Sequence, residues 1–501
     1  MTAMQGYQVE DFTDTRFSVA MTESIDQLLT SHLNKGRRQE DLTFAYWRPS
    51  RGLERYTAVL HEVVLPEEGD RILQGNVAFT AQYLKRVLRD VPAGCGIALL
   101  HSHLGPGWQG MSNDDIVAER DRMGGAVASR TKLPVLGLTW GTDGTWSARF
   151  WVRSGTNQYD RRWAETVRVV GHRLRMSHHP ELSPDPARSN RQVATVSVWG
   201  HAAQADVVRT HVGIVGLGSV GSILNESLAR TGIQRITLVD HDVLEDRNLD
   251  RTLGAIPQDV ERGIPKVTVA ARLASTSHTS PNFKVIPVEQ NLLTASGLAH
   301  TLDCDVLMSC VDRPLPRHLL NVISKAHLIP VVDGGILARV SETHGLVHLD
   351  WRIHTVGPER ACLHCLGALR RSDVALDKEG LLDDPDYIKN LPERDRELIG
   401  RRNVFAFSLS VAAHQTLQFV GLVTGVSKVG GKCPQHYSAY PGRMDVEPVS
   451  QCEADCDIES LTASALDLTS NLQPDRIQGA PQVGRRIRQG LIPWLRQRFS
   501  R

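Results

Sequence analysis

The stretch HVGIVGLGSVG, residues 211–221, decides how the second half of the chain folds. An apolar run ends at Gly216, Gly218 and Gly221, and a helix-like segment continues through Arg230 before a second apolar run, RITLVDHD. The G-x-G-x-x-G spacing between a strand and a helix permits a tight turn and lets a phosphate approach the backbone at the positive end of the helix. Asp240 ends the second run, about 20 residues on, where a carboxylate can hold ribose hydroxyls. Further strand-like runs, VLMSCVD and IPVVDGG, extend the pattern to an α/β domain with a mostly parallel sheet. Taken alone, these features also suit a NAD-dependent dehydrogenase.

At 501 residues the chain exceeds a single core, and roughly 100–200 residues per domain predicts two to four. Hydrophobic residues at 41% and charged residues at 23% fit a globular protein, and a net charge of +1 argues against a nucleic-acid binder. The first residues lack an apolar signal core, and no stretch approaches the roughly 20 apolar residues of a membrane span. The expectation is a cytoplasmic protein with reduced thiols, in which the eight cysteines are ligands, nucleophiles or core residues.

In the first half, the runs FAYW, YTAVLHEVVLP, GIALLHSHL, LPVLGLTW and WSARFWV read as strands, with helices expected at 77–89 and from about Asp114. HSHLGPGWQGMSNDD, residues 101–115, sets His101 and His103 two apart on a strand, where both rings share one face. Asp115 follows a Gly/Pro-rich turn and can add a third ligand, leaving a tetrahedral zinc one position for water. Glu62, in AVLHEVVLP, is the candidate proton shuttle, with Glu54, Glu67 and Glu68 close by in sequence.

Together the strand glutamate, the H-S-H and the S-x-x-D that places Ser112 before Asp115 resemble the JAB/MPN/JAMM metalloprotease family. The spacer of residues 104–111 is one longer than that family's usual seven. The resemblance implies an α/β metalloprotease domain in which His101, His103 and Asp115 bind catalytic zinc. Glu62 would be the general acid/base, and Ser112 would stabilise the oxyanion. Its substrates would be ubiquitin-like conjugates or precursors.

The second half resembles the ThiF/MoeB and ubiquitin-activating superfamily. RSNRQ (188–192), VDHDVLEDRNLDR (239–251), Lys266 in GIPK, and SCVDRPLPR (309–317) followed by Asn321 stand in the family's order. The resemblance implies a Rossmann-like adenylation domain in which Gly216, Gly218, Gly221, Asp240, Asp242, Asn248, Arg251 and Lys266 bind ATP. Asp312 would hold magnesium, and Arg317 closes its D-x-x-x-x-R. Arg191 would reach the ATP of a second copy in a homodimer. Arg251 and Lys266 suit attack of a carboxylate on the α-phosphate, where charge builds on the phosphates.

Cys362 with Cys365, and Cys452 with Cys456, form two close pairs suited to structural zinc. Cys95, Cys304 and Cys310 read as core. Cys433, in GGKCPQHY, lies outside the crossover segment where relatives carry a nucleophile. The expected organisation is a metalloprotease-like domain over 1–173, a linker over 174–187, an adenylation domain over 188–460 and an extension over 461–501. The end of that extension, VGRRIRQGLIPWLRQRFSR, suits a basic amphipathic helix. The joint expectation is a bifunctional enzyme of a bacterial ubiquitin-like system. It would adenylate a ubiquitin-like or sulfur-carrier protein with a C-terminal glycine, cleave near such a terminus, and work beside a ubiquitin-conjugating-like protein. Sulfur-carrier activation for biosynthesis and a non-catalytic scaffold remain as alternatives.

Overall fold

The computed structural model describes residues 12–34, 39–74, 76–341, 345–390, 403–426 and 433–468. The first half contributes β1 (Arg16–Thr22), β2 (Leu42–Arg51), β3 (Arg55–Val64), β4 (Arg71–Gln74), β5 (Asn76–Phe79), β6 (Gly96–Ser102), β7 (Val135–Trp140), β8 (Trp146–Gly155), β9 (Gln158–Val170) and β10 (Leu174–His178). Its helices are α1 (Glu23–Leu33), α2 (Ala81–Asp90), α3 (Asn113–Ile116) and α4 (Gly124–Thr131), with a π-helical segment at Val117–Met123 between the last two. The main sheet runs β1-β3-β2-β6-β7-β8-β9-β10, and a further β1–β9 pairing bends it back on itself like a barrel. Inward-facing Trp47, Tyr56, Phe150 and Trp146 fill it. Each strand read from the apolar runs is present. The helix expected from 77 starts at Ala81 instead, because Asn76–Phe79 pairs with Arg71–Gln74 and Thr80 caps the helix through its side chain.

The second half contributes β11 (His211–Val215), β12 (Arg235–Val239), β13 (Lys284–Val288), β14 (Val306–Ser309), β15 (Val331–Ser341), β16 (Gly345–Val356), β17 (Gln435–Ser438) and β18 (Arg443–Val446). Its helices are α5 (Val193–Arg209), α6 (Ser219–Thr231), α7 (Pro257–Glu261), α8 (Lys266–Ser277), α9 (Ala295–Leu302), α10 (Pro314–Ala326), α11 (Arg371–Lys378), α12 (Pro385–Asn390) and α13 (Phe405–Thr424). The sheet order is β13-β12-β11-β14-β15-β16-β17-β18, parallel as far as β15 and antiparallel beyond it. The order reverses between β11 and β14, and ligands of open α/β sheets bind at such a switch point, outside the carboxyl ends of the strands.

Two sequence readings need correction. The stretch taken as a linker begins with β10, which pairs antiparallel with β9, so residues 174–178 belong to the first sheet. Alternating Leu174 and Met176 point to packing, a signal masked by the Pro- and Ser-rich residues that follow. Helix α13 is also long and apolar enough to cross a membrane by length and composition, contrary to the reading that no stretch comes close. Its Phe407, Val411, Phe419 and Val420 pack into the core of the second domain. The charged excursion over 371–402 contains α11 and α12, and its residues 391–402 lie outside the described residues. So do residues 469–501, including the basic terminal segment.

Candidate functional sites

At the end of β6, His101 is buried and His103 half-buried, and their Nε2 atoms lie 3.1 Å apart. Asp115 completes the group, Oδ1 at 3.2 Å from His101 Nε2 and Oδ2 at 3.5 Å from His103 Nε2. The S-x-x-D spacing places the aspartate by forming a capping box. Ser112 N–H donates to Asp115 Oδ2 (2.7 Å), and Asp115 N–H donates to Ser112 Oγ (3.1 Å). Burial opposes ionisation of Asp115, yet hydrogen bonds from both histidines hold it well below the usual carboxylate range. The same bond to Asp115 raises His103. Two imidazole nitrogens and a carboxylate, converging within 4.8 Å, are a donor set that fits zinc.

The eight-residue spacer is held by Gln109. Its Nε2 donates to the carbonyls of Gly105 (3.2 Å), Pro106 (2.7 Å) and Gly107 (2.8 Å). Behind the histidines, Thr139 Oγ1 lies 3.4 Å from His101 Nε2 and accepts from Arg149. Arg149 pairs with Glu119 of the π-helical segment, and both are fully buried. The Glu119 carboxylate sits so close to Gly137 that a Cβ there would fall 2.3 Å from it.

Glu62 is not brought to this cluster. It is exposed and opposite Tyr46 on β2, whereas His101 is opposite Leu42. Four residues of strand separate the two levels by about 13 Å. Glu40, which the sequence reading did not single out, lies nearer the histidines. Its neighbour Asp41 accepts from Ser102 N–H and donates its own N–H to Ser102 Oγ, both at 3.0 Å, which fixes Glu40 beside the H-S-H segment. The charge of Glu40 contributes to raising His103. Its signal was its place immediately before the strand that pairs with the histidine strand.

At the switch point, Gly216 has φ +89°, and a Cβ there would lie 2.7 Å from the Cys310 carbonyl oxygen. A Cβ on Gly221 would lie 1.9 Å from the Gly216 carbonyl oxygen. These two glycines are required by the protein's own packing. Gly218, at the start of α6, has no heavy atom within 4 Å of a built Cβ and leaves the helix N-terminus open. Asp240 Oδ2 accepts from Leu217 N–H (2.6 Å) and Oδ1 from Asp242 N–H (2.8 Å). Burial lifts the Asp240 carboxyl above its usual range, against the pull of Lys266. Lys266, the first residue of α8, pairs with Asp242 at 2.7 Å.

Asn248 Oδ1 accepts from Glu245 N–H (3.1 Å) and shapes the loop that carries Arg251, which pairs with Asp250 at 2.8 Å. The loop at Cys310 and Val311 abuts Gly216 and delivers exposed Asp312 to the same edge of the sheet. Arg317 pairs with buried Asp333, which also accepts from Ser309 Oγ at 2.7 Å. Arg317 keeps Asp333 low despite its burial. The sequence reading did not single out Asp333.

Arg191 is not brought to this site. The adjacent Gln192 bonds Thr279 Oγ1 (3.2 Å) and accepts from Gln204, which also bonds the Thr231 carbonyl. That is the far end of α6, whose thirteen residues span about 20 Å.

The sulfurs of Cys362, Cys365, Cys452 and Cys456 lie within 4.8 Å of one another, a four-thiolate set that fits structural zinc. Asn321 Oδ1 accepts from Leu363 N–H (3.0 Å) and so braces the Cys362–Cys365 turn. Contact with Cys452 lowers Cys362 to about 4, while burial pushes Cys365 up to about 11. Cys95, Cys304 and Cys310 are raised by burial, Cys304 to about 12. Cys433 lies just ahead of β17, where its carbonyl accepts from Gln418 at 3.0 Å.

Residues 189–436 match the ThiF family, and this stretch is a ThiF-type, Rossmann-like domain. The chain is 29% identical over 161 residues to the adenylyltransferase and sulfurtransferase UBA4 of Yarrowia lipolytica, covering 32% of this chain and 38% of that one. It is 29% identical over 167 residues to the SAMP-activating enzyme E1 of Haloferax volcanii, covering 33% and 57%. Against the molybdopterin-synthase adenylyltransferase of Escherichia coli the identity is 29% over 182 residues, covering 36% and 68%. The matched stretch therefore spans less than two thirds of the first two relatives.

Proposed function

We propose that this chain adenylates the C-terminal carboxylate of a ubiquitin-like or sulfur-carrier protein, and that its first domain is a zinc-dependent peptidase acting near such a terminus. The observation that carries the first half is the set at the switch point. Open Gly218 at a helix start, Asp240, and the Asp242–Lys266 pair face one edge of a ThiF-type sheet. The helix N-terminus and Lys266 stabilise negative charge building on the α-phosphate as pyrophosphate leaves. Asp240 engages the ribose, and Asp312 offers a carboxylate to a nucleotide-bound magnesium ion. Arg191 acts from a second copy, because its own nucleotide loop is out of reach.

The second half rests on the His101, His103 and Asp115 cluster. His101, His103 and Asp115 would hold the zinc, which would supply a Lewis acid and lower the pKa of a water in its open position. Glu40 takes the proton of the attacking water and returns it to the leaving amine. Ser112 holds Asp115 in position. Trimming a precursor to expose its terminal glycine, or releasing a conjugated carrier, both use this arrangement. The names of the relatives favour carriers that serve either modification or sulfur transfer, and the carrier's identity separates those two uses.

The test is pyrophosphate exchange into ATP, with ubiquitin-fold proteins ending in Gly-Gly from the same genome as probes. Exchange should occur with one of them, and Lys266→Ala should slow it at least about 10²-fold, the scale for losing a partner of transition-state charge. No exchange with any such protein overturns the adenylation reading.

A further inference from the structure

We infer that the four-cysteine site acts across the domain boundary. Cys362, Cys365, Cys452 and Cys456, drawn onto one zinc ion, hold together two chain segments through which the second domain grips the first. The inference requires zinc at the cysteine set and neither of the two proposed activities.

The domains meet through two sets of contacts. In the first set, Arg55 of β3 and Arg168 of β9 both pair with Asp305, at 2.5 and 2.8 Å, and all three are buried. Asp305 precedes β14 and accepts from the N–H of His211, the first residue of β11, at 3.0 Å. The nearby Asp303 accepts from the N–H groups of Glu54 (3.1 Å) and Arg55 (2.9 Å). None of the four ligand cysteines lies in these segments.

The second set is carried by the segments that do hold them. Buried Arg360 donates from its guanidinium to the His172 carbonyl, in the turn between β9 and β10, at 2.7 Å. Glu359 accepts from the N–H of Ser24, in the first turn of α1, at 3.1 Å. His172 N–H in turn donates to Glu23 at 3.0 Å, so that turn and the start of α1 form one patch. Glu359 has φ +63°, a left-handed conformation that a residue with a side chain keeps only where its surroundings hold it. Cys362 follows directly on this pair of contacts. Beyond Cys456, Glu459 pairs with the fully buried Lys325 of α10. Ala463 N–H donates to the Lys325 carbonyl (3.0 Å), and Ala465 N–H to the Ala326 carbonyl (2.8 Å). His327 Nε2–H donates to the Leu466 carbonyl (3.1 Å), which leaves Nδ1 to accept from the Ser50 hydroxyl of β2 (2.8 Å). Each cysteine pair therefore continues into residues that touch the first domain or hold one that does.

Little but the sulfurs joins the two segments to each other. Residues 357–370 and 447–458 contain no helix or strand. Between them run the bond from Ala361 N–H to the Ser450 carbonyl (2.7 Å), the exposed Arg371–Asp457 pair, and Lys325, which donates to the Arg360 carbonyl (2.7 Å) while paired with Glu459. Cys362 N–H donates to Cys452 Sγ at 3.1 Å, a bond made to a ligand atom itself. These two cysteines are 90 residues apart, and a crosslink that closes a long loop removes the most chain entropy. Without an ion the four sulfurs retain only weak contacts with one another.

The experiment uses the full chain with zinc bound, the same chain after chelation, and the Cys362→Ser, Cys365→Ser variant, with metal content measured in each. Hydrogen exchange is read by mass spectrometry on peptides covering 20–26 and 168–176. Loss of zinc from the cysteine set should speed exchange in both at least about tenfold, and zinc added back to the chelated chain should restore it. Peptides covering 53–60 and 211–221 should exchange as before, because their contacts do not run through the cysteine segments. Arg360→Met, which keeps the ligands and loses the donor to His172, should reproduce the change at 168–176 with zinc still bound. Unchanged exchange at 20–26 and 168–176 after zinc loss overturns the inference. Equal acceleration over the whole chain overturns it as well, since the site would then support the fold at large. A cysteine set that takes up no zinc overturns it at the first step.

Discussion

Two carboxylates separate what the residue types announce from what their placement allows. Glu62 stands mid-strand among apolar neighbours in sequence, where a bare charge would be costly. The barrel instead turns it outward and makes it an exposed strand residue. Glu40 lies in the polar run before β2, and only the pairing of β2 with β6 brings it beside His103. Sequence spacing reveals neighbours within one element, so His101 with His103 and Ser112 with Asp115 were legible, while a partner from another strand was not. Glu40→Gln should therefore lower cleavage of an extended carrier by roughly 10²–10⁴-fold, the usual worth of a positioned general base. Zinc content should stay unchanged, because Glu40 is outside the ligand set. Glu62→Gln should cleave like the wild type, and the reverse pattern in a paired assay would return the role to Glu62.

At the scale of elements, motifs that coincide with a turn or a cap were readable because they are local. The glycine loop is a strand-to-helix turn, and S-x-x-D is a capping box. The paired cysteines fit a single four-thiolate site, yet what converges them is long-range. The Ala361 N–H donates to the Ser450 carbonyl at 2.7 Å, and Asn321 braces the first pair from α10. The linker was read as starting at 174 for the complementary reason, since β10 is specified by its partner β9. The two donor sets share no residue, so the proposed zinc ions should be lost independently. Metal analysis should find two zinc ions per chain, one lost in the double variant His101→Ala, His103→Ala and the other in Cys362→Ser, Cys365→Ser. Ser112→Ala should weaken the first site without abolishing it. It removes a cap worth about 1 kcal/mol while leaving all three ligands in place. A single ion lost only with the cysteines would remove the metalloprotease reading.

For the whole molecule, the joint between the domains is a buried charge cluster, and the histidines beside it should contribute to acid stability. Replacing Asp305 by alanine strands the Arg55 and Arg168 guanidinium groups out of water. Breaking a buried pair in this way costs about 3–5 kcal/mol, so Asp305→Ala should shift chemical unfolding to markedly lower denaturant. The same joint holds the buried His211 and the half-buried His178. Burial, with Arg209 close by, pushes His178 down to about 4, and burial carries His211 well below its ordinary value although Asp305 opposes the shift. Both titrate lower in the folded protein than in the unfolded chain, where histidine stands near 6.5. The unfolded chain therefore takes up protons first as pH falls. The stability these groups contribute is complete above about 6.5 and is lost progressively toward pH 4, at up to about 1.4 kcal/mol per pH unit for each histidine. Asp305, held low by Arg55 and Arg168 despite its burial, stays ionised across that window. Asp303, lifted by burial, works in the opposite sense where carboxylates titrate. Denaturant midpoints measured between pH 7.5 and 4.5 should fall steadily with acidification, and His178→Gln should flatten the fall by removing one of the histidines, with His179, His211, His318 and His354, that burial holds low. A profile level down to the carboxylate range would mean that these histidines do not set the acid limit of the protein.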